Sequence, residues 1–302
     1  MTGPFFPNDR NPILTSRHLS YDNWVHSTGH GDLFQLEDGR SYMVCLGIRA
    51  EEGEPGMRRS NMGRETYLLP VIWEREPMEW HSLGPEGKRL WPVCAPESGR
   101  IERRVPLPMD APQTQAHNDF KDSFQQASLG PEWLFRRVPK DGSYHLAPGS
   151  LTLLASEPLA ERKAVSFMGI RQRHSDFDFV VKMLKATEGA EAGVAIVQKD
   201  ENYVSFTKEA KKLRVCLKEK EKPVVEVATT ELDAEEIVFK IESKDHRYVF
   251  SYSRDDGKSY VHCTEMAASH LLSLGYTGSC LGLYCTGSGS ASFASLQHTA
   301  MP

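Results

Sequence analysis

The chain has 302 residues, of which 39% are hydrophobic and 25% charged, with a formal net charge of -5. That is room for two ordinary domains with cores of their own. A mild charge of mixed sign gives neither the basic stripe that nucleic acid requires nor a polybasic membrane patch, so neither partner is expected.

Met1 to Arg10 shows no charged n-region and no apolar h-region, so it does not read as a signal peptide. No apolar run is long enough to span a bilayer. A cytoplasmic address is the default expectation for a chain that begins here.

Strands dominate. Asp32 to Leu36 leads through Glu37-Asp38-Gly39-Arg40 into Ser41 to Leu46, and Asp-Gly between two apolar runs is a hairpin signal. Tyr67 to Trp73 reads as another strand, with Pro70 suited to an edge or a bulge. From Pro77 to Pro112 prolines and charges recur, which predicts an irregular segment ending in a linker. The domain boundary is expected near Pro112 to His117, dividing the chain into residues 1–112 and 113–302.

Beyond it, short strands follow at the spacing of an all-β sandwich. They are Ser150 to Leu154, Phe177 to Leu184, Gly193 to Gln198, Tyr203 to Thr207, Leu213 to Leu217, Ile237 to Glu242, Tyr248 to Ser253 and Leu281 to Cys285. Lys218 to Pro223 alternates in charge and reads as a solvated hairpin tip, and Arg254 to Lys258 as a tight turn. Glu265 to Leu274 could form one short helix. Gly287 to Ser290 lacks the lysine and the strand-to-helix setting of a phosphate loop, and is expected to be a flexible loop. The six cysteines form no C-x-x-C pair and are expected to be free, buried thiols.

Two short motifs carry the functional reading: Gly29-His30-Gly31-Asp32-Leu33 and Met62-Gly63-Arg64-Glu65-Thr66, with the strand-like Ser41 to Arg49 between them. In this order they resemble the late blades of the five-bladed propeller of glycoside hydrolase family 43, the β-xylosidases and α-L-arabinofuranosidases. Asn11 to Leu19 is similar to the stretch before the first motif. Phe120 to Phe124, Trp133 to Pro139, Ile170 to His174, Glu191 to Val194 and Tyr276 to Tyr284 are similar to the concanavalin A-like sandwich appended to many of these enzymes. The resemblance implies an all-β chain, a partial β-propeller followed by that sandwich.

It also implies a chemistry. Inverting hydrolysis needs a carboxylic acid and a carboxylate base roughly 6.5–9.5 Å apart. By resemblance these residues, and a third carboxylate, belong to earlier blades, so no catalytic residue is assigned here and the chain is expected to be a truncated form, inactive alone. Two residues can be matched. His30 matches the propeller-centre histidine associated with a bound cation, usually calcium; oxygen is the preferred donor for that ion, so the contact is expected through water. Arg64 matches the arginine that approaches the sugar next to the acid. The structural alternatives are a backbone-satisfied core histidine for His30, and an ion pair with Glu65 or Asp32 for Arg64. His26 and His30 would share a face on a helix, but the strand-like sequence argues against a metal pair. Trp24 and Trp73 suit either sugar stacking or core packing.

The expected partners are a xylo- or arabino-oligosaccharide and either a second copy or a complementing N-terminal propeller chain, since a cut propeller exposes strand edges. By the same resemblance, a sandwich loop around Gly287 to Phe293 could shape the catalytic pocket. The alternative function is a non-catalytic carbohydrate-binding or structural sandwich, and an exposed aromatic row on one sheet would favour binding.

Overall fold

A computed structural model describes residues 7–8, 10–49, 60–75, 90–106, 119–161, 163–272 and 277–301. The chain forms two compact units, Met1–Ser60 with Arg64–Gln115, and Asn61–Gly63 with Ala116–Pro302. The boundary expected near Pro112 to His117 lies outside the described residues.

The first unit holds an antiparallel sheet of β1 (Val25–Gln35), β2 (Ser41–Arg49), β3 (Arg64–Arg75) and β4 (Leu90–Cys94), paired in chain order. Four-stranded sheets of this kind are the units from which propeller blades are built. The Asp-Gly hairpin forms as the sequence predicts. Gln35 pairs with Ser41, and Gly39 adopts a φ of 88° while its N–H donates to the Leu36 carbonyl at 3.0 Å.

Paired residues share a face, so the register sorts the side chains. One face carries Val25, Met43, Cys45, Leu69, Val71 and Cys94, which cluster with Ala95 and Ile101 as the core of this unit. The other carries Phe34, Tyr42, Val44, Leu46, Ile48, Leu68, Pro70, Ile72 and Val93. Both faces are therefore largely apolar, the second also carrying His26, Asp32, Arg64, Thr66 and Glu74, the pattern of a sheet meant to be covered on both sides.

Two expectations change here. Pro70 is not at an edge, because β3 lies between β2 and β4. It is tolerated because the β3–β4 ladder ends beside it, at Val71 opposite Cys94. Its carbonyl still accepts the Ala95 N–H at 2.9 Å, and its missing N–H deprives no paired strand. The stretch from Pro77 to Pro112 is not irregular throughout: Leu90–Cys94 is a strand, with Pro92 opposite Trp73.

The second unit is a sandwich. Its strands are β5 (Phe120–Asp122), β6 (Leu134–Phe135), β7 (Tyr144–Ala147), β8 (Ser150–Leu154), β9 (Phe167–Arg171), β10 (Phe177–Ala186), β11 (Ala190–Lys199) and β12 (Asn202–Glu209). They continue as β13 (Lys212–Lys218), β14 (Val225–Glu231), β15 (Ile237–Lys244), β16 (Arg247–Ser253), β17 (Val261–Ala267), β18 (Cys280–Gly287) and β19 (Ser290–Ala300). One sheet runs β17-β16-β15-β10-β19-β8-β7 with β5 on β19; the other runs β14-β13-β12-β11-β18-β9-β6. Alternation along β10 buries Phe177, Phe179, Val181 and Met183 against Val194, Ile196, Val204 and Phe206 of the facing sheet.

Every sandwich strand read from the sequence is present. Four neighbouring expectations need correction or extension. Glu265 to Ala267 completes β17 in register with β16, and only Ala268–Leu271 turns, as a 3-10 helix; residues 273 and 274 lie outside the described residues. The Gly287 loop shrinks to Ser288 and Gly289, a tight crossing from one sheet to the other. Phe293, expected to lie in the loop, is instead fully buried within β19. β19 itself, rich in Ser and Ala, is a central strand between β10 and β8. All six cysteines are free thiols, but only four are buried as expected; Cys263 and Cys280 are half-buried.

Candidate functional site

The Gly-His motif lies on edge strand β1, where the register slips twice. His26 faces Ile48, Gly29 faces Leu46 and Asp32 faces Val44, so each interval of three residues on β1 spans two on β2. Each slip holds one residue in left-handed backbone, Ser27 at φ 54° and His30 at φ 55°. Bulges of this kind re-aim a side chain out of the pleat. His30 is accordingly exposed rather than satisfied in the core. A Cβ on Gly31 would lie 2.9 Å from Met43 Sδ, so a side chain there would push that methionine aside.

Arg64 opens β3 opposite Ile48, which faces His26 on its other side. His26, Ile48 and Arg64 therefore form one row across three strands, on the face opposite the core cluster. Arg64 is half-buried and His26 is buried. The preceding Gly63 has a φ of 71°, and a Cβ on it would lie 2.3 Å from the Gly278 nitrogen. Only glycine fits that backbone approach.

Glu65 projects from the opposite face and is taken by Arg49, with Nε to Oε2 at 3.0 Å and Nη2 to Oε1 at 3.1 Å. Asp32, the other partner considered for Arg64, is exposed on β1. Other carboxylates of this unit are also paired: Asp38 with Arg40, Glu74 with Arg10 and Glu102 with Arg100. The Arg40 hydrogen bonds hold Asp38 below the usual carboxylate range; hydrogen bonds from Ser98 and then Arg100 do the same to Glu102. A general acid needs the opposite perturbation.

Trp24 packs in the core. Its Nε1 donates to the Ile101 carbonyl at 3.1 Å, Tyr67 meets it edge-on at 5.6 Å, and the Arg103 guanidinium lies 4.8 Å above the ring. Trp73 is 44% exposed, and its Nε1 donates to Ser41 Oγ. Among the described residues no group of three His, Cys, Asp or Glu side chains is placed to hold a metal ion. His30 would thus be a lone nitrogen donor for an ion that takes about six to eight oxygens, so the described side chains do not build a calcium cage.

The row containing His26 could not be counted from the sequence, because two bulges intervene. The Arg49–Glu65 pairing carried a signal: the two-residue period of a strand puts Glu65 on the opposite face from Arg64.

A sequence profile described as "Beta xylosidase C-terminal Concanavalin A-like domain" matches residues 121–298, and one described as "Glycosyl hydrolases family 43" matches residues 1–78. The chain belongs to glycosyl hydrolase family 43. Among family 43 relatives, the Bacteroides ovatus protein named "Non-reducing end alpha-L-arabinofuranosidase BoGH43B" is 28% identical over 96% of this chain and 53% of its own length. A Butyrivibrio fibrisolvens xylosidase/arabinosidase is also 28% identical, over 94% of this chain and 53% of its own. The solved structure of the Bacteroides ovatus xyloglucan-locus GH43B superposes with a TM-score of 0.83 at 25% identity, covering 99% of this chain and 58% of that one. Bacillus licheniformis BlXynB gives 0.82 at 25% identity, with the same coverage. The chain spans about half the length of these family 43 relatives.

Proposed function

We propose that this chain supplies the Arg64-bearing part of a family 43 glycoside hydrolase acting on terminal arabinofuranosyl or xylosyl residues. The observation that carries the proposal is the position of Arg64. It sits at one end of a largely apolar sheet face, directly after the glycine-only position 63, with the neighbouring Glu65 carboxylate already committed to Arg49. A guanidinium so placed can donate to paired sugar hydroxyls and keep a nearby carboxylate ionised. The acid and the base are assigned to polypeptide outside these residues. The largely apolar faces of the sheet support that assignment. In the same proposal His30 meets a hydrated calcium ion through water, and no step is routed through that ion. Covering the open strand edges with a second copy or a complementing propeller chain belongs to the proposal too.

The carbohydrate-binding alternative lacks its expected feature. Among the described residues of the sandwich, Tyr260 alone is an exposed aromatic, and Lys240 lies 5.6 Å over its ring.

Saturation-transfer NMR with methyl α-L-arabinofuranoside and methyl β-D-xyloside tests the role of Arg64. Transfer to either sugar that is lost in Arg64→Ala supports it. Equal transfer in both proteins, or none in wild type, refutes it.

A further inference from the structure

His298 is an unusual core residue. It is fully buried in β19, between Phe179 on β10 and Phe120 on β5, and neither ring nitrogen has a hydrogen-bond partner. Its ring is stacked on Phe177 at 4.8 Å and on His174 at 5.5 Å, and His174 Nε2 is likewise buried without a partner. Buried polar atoms are usually satisfied, so three such nitrogens together call for an explanation. Parallel rings do not converge their nitrogens on one point, which argues against a shared metal.

The element held by this residue is slight. β5 is three residues long and, among the described residues, pairs only with β19, through Phe120 opposite His298, Lys121 opposite Gln297 and Asp122 opposite Leu296. The Arg173 guanidinium lies over the Phe120 ring at 5.4 Å, and Phe120 meets Trp133 edge-on at 5.8 Å. Short elements with few backbone bonds open first.

We propose that the His298–His174 stack is an acid-sensitive latch, in which protonation of His298 releases strand β5 from the sandwich. Four titratable or charged groups surround it: His174 and Arg173 from the loop before β10, Asp119 ahead of β5, and Tyr248 of β16 behind Phe177. Burial first, then the neighbouring His174 and Arg173, push the His298 imidazolium pKa down to about 4, while its own backbone and then Asp119 pull the other way. His298 is therefore neutral in the closed sandwich and takes a proton near the ordinary value of ~6.5 once released. The latch is fully closed above that pH and weakens as pH falls toward about 4.

Hydrogen exchange of the Phe120–Asp122 amides, expressed as protection factors from pH 7 to pH 4, tests this directly. Protection is expected to fall at least tenfold before global unfolding in wild type, and to persist in His298→Leu. His174→Gln, which keeps the core ring, is expected to make the loss shallower. NMR titration of the His298 ring in the folded wild type needs no variant, and its midpoint should lie well below 6. A midpoint near 6.5 would overturn the proposal, as would loss of β5 protection only together with the whole sandwich.

Discussion

Arg49 and Glu65 are joined by two hydrogen bonds on one face of the first sheet, while Arg64, next in the chain to Glu65, projects from the other. The pair bridges β2 and β3 beside the row that holds Arg64. The two arginines therefore lie on opposite faces of the sheet.

The two arginines should therefore respond differently. Arg49→Ala removes a partly exposed bidentate pair worth about 0.5–1 kcal/mol, and should lower the melting temperature by about 2–6 °C. Sugar contact, read by saturation transfer, should survive. Arg64→Ala should lose sugar contact. Identical behaviour of the two variants would remove the distinction.

Gly63→Ala should be costly. Its left-handed φ of 71° and the 2.3 Å approach of the Gly278 nitrogen leave no room for a methyl group. A loss of about 2 kcal/mol or more is expected in denaturant unfolding. Gly29→Ala makes the contrast, since a Cβ there meets nothing within 4 Å.

At His30 the left-handed φ of 55° favours glycine. His30→Gly should be neutral or stabilising by about 0.5–1 kcal/mol, and His30→Val destabilising by about 1–2 kcal/mol. Any calcium-dependent rise in melting temperature should shrink in both variants. An unchanged calcium response would remove His30 from the proposed cation contact.

The thiols should be silent in the native protein. Burial, reinforced by the neighbouring Cys94, pushes Cys45 up to about 11; burial raises Cys263 to about 11 and Cys285 to about 12. Thiolate is the reactive form. Ellman's reagent at pH 8 should find almost no reaction before denaturation and all six thiols after it.

Much of this fold was legible because strand period and turn chemistry act locally. The Asp38-Gly39 hairpin and the alternation along Phe177 to Met183 need no distant partner to be read. β19 was not legible as a strand: its many Ser and Ala carry weak strand preference, and its place between β10 and β8 is fixed by pairing with residues more than a hundred positions away. β4 was hidden by Pro92, and β17 by residues of good helix propensity that tertiary pairing overrides. For the site, Arg64 and His30 came from motif order. The His26–Ile48–Arg64 row came only with the two bulges of β1, which no periodicity shows. The His298 stack joins residues more than a hundred positions apart and left no local trace.

The most direct test of the account is hydrolysis of p-nitrophenyl α-L-arabinofuranoside and p-nitrophenyl β-D-xyloside by the purified 302-residue chain, with calcium and with EDTA. The account predicts no turnover above buffer in either condition, because the acid and the base are assigned outside this polypeptide. Turnover that Arg64→Ala abolishes would contradict it, and would place the catalytic carboxylates among these residues.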